Sequence, residues 1–128
     1  MDYDESHKLY RQARDLITHG ELKGAISLLE KSNELYTHFK TLELWGECEI
    51  NMCNYKEAIA PLKQAVELNQ SIKPKSLLAL AYQKNGDILK VIELAQSAVL
   101  LAPNNKIFKK ILNETNIKKS NDINIGDV

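Results

Sequence analysis

The sequence predicts an all-α chain assembled from three copies of one helical hairpin. Three observations carry that reading. Apolar residues recur at helical spacing, i, i+4, i+7 and i+8, as at Leu9, Ala13, Leu16 and Ile17. Three segments are related by steps of 33 residues, from Gly20 to Cys53 to Gly86 and from Ala25 to Ala58 to Val91. No stretch alternates convincingly with period two, and five Gly and three Pro among 128 residues leave little material for tight hairpins.

Each unit reads as helix, turn, helix. The first places Leu9, Ala13, Leu16 and Ile17 before the His19-Gly20 turn and Ala25, Ile26, Leu28 and Leu29 after it. The second places Leu42, Trp45, Gly46 and Ile50 before Cys53-Asn54, then Ala58, Ile59, Leu62, Ala65 and Val66. The third has Leu78, Ala79, Ala81 and Tyr82 before Asn85-Gly86, then Val91, Ile92, Leu94, Ala95, Ala98 and Val99. Gly and Asn suit the turns because they reach positive φ and so end a helix. The small residues matter because axes about 8–10 Å apart exclude large side chains. Past Pro103, Asn104 or Asn105 can cap a further helix whose apolar stripe is Ile107, Phe108, Ile111 and Leu112. The predicted organisation is one domain over residues 1–119, with units at about 6–38, 39–71 and 72–104 and a capping helix at 105–119. Residues 120–128 lack periodicity and read as a flexible tail.

With Leu78-Ala79, Tyr82, Gly86, Ala98 and Pro103 in the third unit, the chain resembles the tetratricopeptide repeat family. The second unit keeps Trp45-Gly46, Tyr55, Ala58, Leu62 and Ala65, but has Glu49 at the expected aromatic and Gln70 in place of the closing Pro. The first keeps Gln12-Ala13, Leu16, Gly20, Ala25 and Leu29, with Ser32 at the late small position. The resemblance covers about residues 6–103 and implies a right-handed α-solenoid of three units plus a capping helix. It also implies a concave groove, lined by the first helix of each unit, that binds a peptide segment. Carried over by position, the groove residues are Tyr10, Arg11, Arg14 and Ile17, then Lys40, Glu43, Leu44 and Glu47, then Lys73, Leu77, Leu80 and Lys84. His7, Ile50, Ser76 and Gln83 fall on the same faces. Ile17, Leu44, Ile50, Leu77 and Leu80 would form an apolar patch suited to a partner. One subtype of the family grips C-terminal carboxylates with a Lys, Asn, Asn, Lys, Arg set. Here only Lys73 fits, and Tyr10, Arg14, Leu44 and Leu77 take the other places. An apolar groove flanked by cations is closer to the small three-repeat chaperones of bacterial secretion systems, and 15 Lys against two Arg suits an AT-rich genome.

Chemistry-bearing motifs are missing from the sequence. Neither phosphate-binding glycine loop is present, and no Gly-x-Ser-x-Gly. Cys48 and Cys53, five apart, would lie about 140° apart around a helix, so they read as two reduced thiols. His7, His19 and His38 are too scattered for a metal, and Glu43, Glu47 and Glu49 read as a solvated acidic face. The expectation is therefore no enzyme, no cofactor and no metal.

Composition fits a folded chain, with 44% apolar and 27% charged residues. Seventeen basic residues balance seventeen acidic ones, which disfavours nucleic acid. Residues 1–70 hold eight basic and twelve acidic groups, and residues 71–128 nine and five. That asymmetry allows head-to-tail self-association, while Lys106, Lys109, Lys110, Lys118 and Lys119 form a basic end. No apolar run approaches the roughly 18 residues of a membrane span, and the acidic start lacks a signal peptide's pattern, so the expected place is the cytoplasm. The function expected is a protein-binding adaptor or small chaperone. Its rivals are a dedicated single-partner inhibitor or immunity-type protein using its outer faces and, more remotely, an enzyme with an unrecognised site.

Overall fold

The computed structural model describes residues 2–115. Six helices follow one another as α1 (Asp2–Thr18), α2 (Leu22–Leu35), α3 (Phe39–Asn51), α4 (Tyr55–Leu68), α5 (Ile72–Lys84) and α6 (Ile88–Leu101). A seventh, α7, runs over residues 106–115, and the described residues contain no strand. The far part of the expected capping helix, the expected tail over 120–128, and Lys118 and Lys119 lie outside the described residues. Each helix packs on the next in sequence, and α3 also meets α5. That is the contact pattern of an α-solenoid.

The hairpin turns recur at the 33-residue step. Gly20, Cys53 and Gly86 all have positive φ, at 76°, 62° and 86°. In each turn this residue's N–H bonds a carbonyl three residues back, at Ile17, Ile50 and Gln83. The following N–H, of Glu21, Asn54 or Asp87, bonds back to Leu16, Glu49 or Tyr82 at 2.8–2.9 Å. This paired bonding ends a helix while satisfying two of its orphan carbonyls. The joints between units use different chemistry. Tyr36 and Asn69 leave their helices in extended conformation, and His38 caps α3 by accepting from the Lys40 N–H at 3.1 Å.

The core is a string of local clusters, each tying a helix pair to its neighbour. Ala13, Ala25, Ile26, Leu29 and Cys48 join the first hairpin to α3. Ala58, Leu62, Leu78, Ala81, Tyr82 and Val91 join α4 to the third hairpin. Ala79, Ala95 and Ala98 receive Phe108, which is fully buried, so α7 closes the stack as a repeat array requires. Asn105 is the residue that caps α7, its Oδ1 accepting from the Phe108 N–H at 3.1 Å. Ile107 departs from the expected packing stripe and stands 57% exposed.

Ser32, in register with Ala65 and Ala98, is fully buried but not apolar. Its hydroxyl donates to the Ser6 carbonyl at 2.7 Å, and the Ser6 hydroxyl donates to the Ser32 carbonyl at 2.8 Å. The reciprocal pair satisfies both buried hydroxyls and pins the start of α1 to the end of α2.

Cys53 is the one turn residue of the three with a side chain to accommodate at positive φ. Left-handed backbone costs a non-glycine residue roughly 1–2 kcal/mol, offset in part by the greater chain entropy glycine loses on folding. Cys53→Gly is expected to stabilise the protein by about 1 kcal/mol, and Gly86→Ala to destabilise it by a similar amount. Urea unfolding midpoints check both, and a loss of stability in Cys53→Gly would contradict the turn assignment.

Candidate functional site

Helices α1, α3 and α5 supply the face on which the sequence places its groove. On α3 the spacing divides the helix into two working sides. Glu43 and Glu47 share one side at i, i+4, while Trp45 and Glu49, two residues on, lie about 200° away. Glu49 is only 8% exposed, so the expected solvated triad is corrected to a pair on one face and a buried carboxylate on the other.

The pair does not stand free. Lys73 Nζ on α5 lies 3.5 Å from Glu43 Oε1 and 3.4 Å from Glu47 Oε2. The Glu47 charge, with help from Glu43, raises the Lys73 pKa against a smaller opposing effect of burial. A lysine satisfied by two carboxylates of its own chain is poorly placed to bind a third from a ligand. Leu44 and Leu77, which cannot donate hydrogen bonds, flank the same region.

Nearer the N-terminus, α1, the α2–α3 joint and the start of α3 enclose a pocket of about 130 Å³ lined by Tyr3, Ser6, His7, Tyr10, Tyr36, His38, Lys40 and Thr41. Tyr3 meets Tyr36 edge to face at 5.1 Å, and His7 is stacked between Tyr3 and Tyr10 with ring centroids 6.3 Å from each. The Arg14 guanidinium lies 6.0 Å from the Tyr10 ring centroid. The Ser6 hydroxyl also reaches the Tyr36 carbonyl at 3.2 Å, so the buried serine pair positions one wall of the pocket.

The groove residues read from the sequence are thus brought together in two places. Tyr10, Arg14 and Lys40 surround the aromatic pocket or its edge, and Glu43, Glu47 and Lys73 form the ion triad. Arg11 and Lys84 are exposed and, among the described residues, form no salt bridge. Ile17, Leu44, Ile50, Leu77 and Leu80, expected to form an apolar patch, are half-buried. Ile17 and Leu44 lean on the first core cluster, and Ile50 and Leu77 on the second. The large apolar side chains most open to solvent lie elsewhere, at Leu89, Leu100 and Leu101, with Leu100 at 83%. Tyr3, Ser6, Tyr36, His38 and Thr41 were not foreseen. A signal for part of this existed in Tyr3, His7 and Tyr10, which share a helical face at i, i+4 and i+7.

No protein-family model and no curated protein matches the chain. Solved structures do. The TPR domain of Arabidopsis OM64 superposes with a TM-score of 0.78 at 12% identity, covering 90% of this chain and 97% of that one. The first TPR of Spaghetti (RPAP3), bound to the HSP90 peptide SRMEEVD, gives 0.82 at 16% identity over 92% and 95%. MamA from Desulfovibrio magneticus RS-1 gives 0.80 at 26% identity over 90% of this chain, which spans 66% of that one. The fold is that of a tetratricopeptide repeat domain: three helical hairpins and a closing helix. Among the described residues no helix is long and apolar enough to cross a membrane.

The two cysteines differ in burial. Cys48 is buried beside the acidic face of α3, and burial followed by the charges of Glu47 and Glu49 pushes its thiol up to about 11. Cys53 is exposed at the turn. One thiol is therefore expected to react promptly with an aromatic disulfide in the native protein and the second only on unfolding. Because the folded state resists ionising Cys48, the unfolded chain releases that proton first. Stability should then fall as pH rises from about 9 to about 11, and Cys48→Ala should flatten that stretch of a pH-dependent unfolding curve.

Proposed function

We propose that the protein is a non-enzymatic peptide-binding adaptor or small chaperone that holds a segment of a partner along the face of α1, α3 and α5. The observation that carries this reading is the aromatic pocket at the N-terminal end of that face. It offers stacked Tyr and His rings beside the cations Lys40 and Arg14. Aromatic rings with polar tips make broad contacts at small entropic cost, as recognition surfaces require. The fold supports the reading, since the similar RPAP3 domain carries an HSP90 peptide. The mode differs from a carboxylate clamp because Lys73 is already engaged by Glu43 and Glu47. The ligand chemistry that fits is an aromatic or apolar side chain in the pocket, with an acidic neighbour towards Lys40 and Arg14. A cytoplasmic setting is compatible with this role.

The outer-face alternative also has an observation in its favour, the exposed Leu89, Leu100 and Leu101 on α6. Selection of peptides from a displayed random library, followed by fluorescence polarisation, separates the two. Tyr36→Ala combined with Lys40→Glu changes exposed positions and should leave helicity intact while weakening selected peptides at least about tenfold. Amidating a peptide's C-terminus should have little effect. Undiminished binding by that variant, with loss in Leu100→Glu, would instead place the partner on the outer face.

A further inference from the structure

We propose that the outer side of the first two hairpins carries a second binding site, a pocket for a guanidinium group. The cavity is about 400 Å³, lies between α2 and α4 over the Trp45 side of α3, and is distinct from the aromatic pocket. Its walls are Glu30 and Asn33 from α2, Trp45 and Glu49 from α3, and Glu57, Ala60, Pro61 and Gln64 from α4. Three carboxylates therefore line it, and no lysine or arginine does.

The buried groups point the same way. Glu49 is 8% exposed and its Oε2 is fully buried with no hydrogen-bond partner. Asn33 Oδ1, on the facing helix, is likewise buried and unpaired. Glu49 stands in register with Leu16 and Tyr82, a place the other two units fill with a largely apolar side chain. A carboxylate there is costly unless something donates to it. Glu57, exposed on α4 and lining the same cavity, adds a third acceptor.

These acceptors belong to three different helices, which decides the type of cation. Among the described residues no three metal-binding side chains converge closely enough to hold an ion. An ammonium gathers its three donors on one small, strongly hydrated centre, as Lys73 does between Glu43 and Glu47. A guanidinium spreads five donors over a plane, accepts no hydrogen bond, and stacks on an indole such as Trp45. An arginine side chain thus matches dispersed acceptors, net negative charge and an aromatic wall together.

Trp45 is the chain's single tryptophan, so it reports on this pocket without labelling. Titrating the intact protein with Nα-acetyl-arginine amide should shift Trp45 fluorescence and its indole N–H resonance saturably, together with the Asn33 side-chain amide. The neutral isostere Nα-acetyl-citrulline amide should bind at least about tenfold more weakly, as should the arginine probe to Glu49→Gln. Glu57→Gln, at an exposed position in the first turn of α4, should also weaken the arginine probe while helicity stays native. Tighter binding of the capped probe than of free arginine would assign the group to a protein side chain, and the reverse order to the free amino acid; either supports a guanidinium pocket. No saturable shift, equal binding of the citrulline probe, or unchanged affinity in both variants would overturn it. Because the pocket lies across α3 from Glu43 and Glu47, failure here leaves the groove reading standing, and Tyr36→Ala with Lys40→Glu should not alter this titration.

Discussion

The rest of the structure depends on how closely the two helices of a hairpin can approach. Gly46 on α3 faces Leu62 on α4 so tightly that a β-carbon at Gly46 would overlap the Leu62 side chain. The same register holds Ala13 with Leu29 in one core cluster and Ala79 with Ala95 in another. In each hairpin a small residue of the first helix shares a cluster or a contact with a fully buried residue of the second. Axes this near bury apolar surface without a large side chain on both partners. The positive-φ turns at Gly20, Cys53 and Gly86 return the chain at the matching height.

That spacing also shapes the proposed binding face. With the second helix of each pair packed against the first, that face is made of the remaining sides of α1, α3 and α5. On that face the protein satisfies its own charges in the middle, at Lys73 with Glu43 and Glu47, and leaves aromatic surface at one end. On the opposite side of α3, acceptors are left without donors at Glu49 and Asn33. One helix thus offers two chemically different surfaces, set by a two-residue offset between Glu43/Glu47 and Trp45/Glu49.

What was legible in the sequence is what repeats. The turn residues and the small residues answer constraints that recur every 33 positions, so three weak copies reinforce one another. The closing role of α7 was legible for a similar reason, since a repeat stack needs its last apolar face covered. What was not legible depends on contacts between units or breaks the register. Glu49 could be matched to an aromatic position of the family, yet its charge read as part of a solvated face, and Lys75, in register with Leu9 and Leu42, is only 2% exposed. Ser32 looked like a departure from a small apolar position, and its partner Ser6 lies 26 residues away. The aromatic pocket draws on α1 and on the α2–α3 joint, segments whose meeting no local pattern announces. Lys73 could be matched to a family position, but its capture by α3 is a matter of distances across helices.

The most direct test is the stability of Gly46→Ala. At an exposed helical site, replacing glycine by alanine gains about 1 kcal/mol. If close approach at Gly46 and Leu62 sets the helix spacing, the added methyl forces Leu62 out of its place, and overpacking of this kind costs about 1–3 kcal/mol. Urea unfolding of the parent and of Gly46→Ala, each with native helicity, should show the variant less stable by about that amount. A variant as stable as the parent, or more so, would contradict the close approach on which the architecture rests.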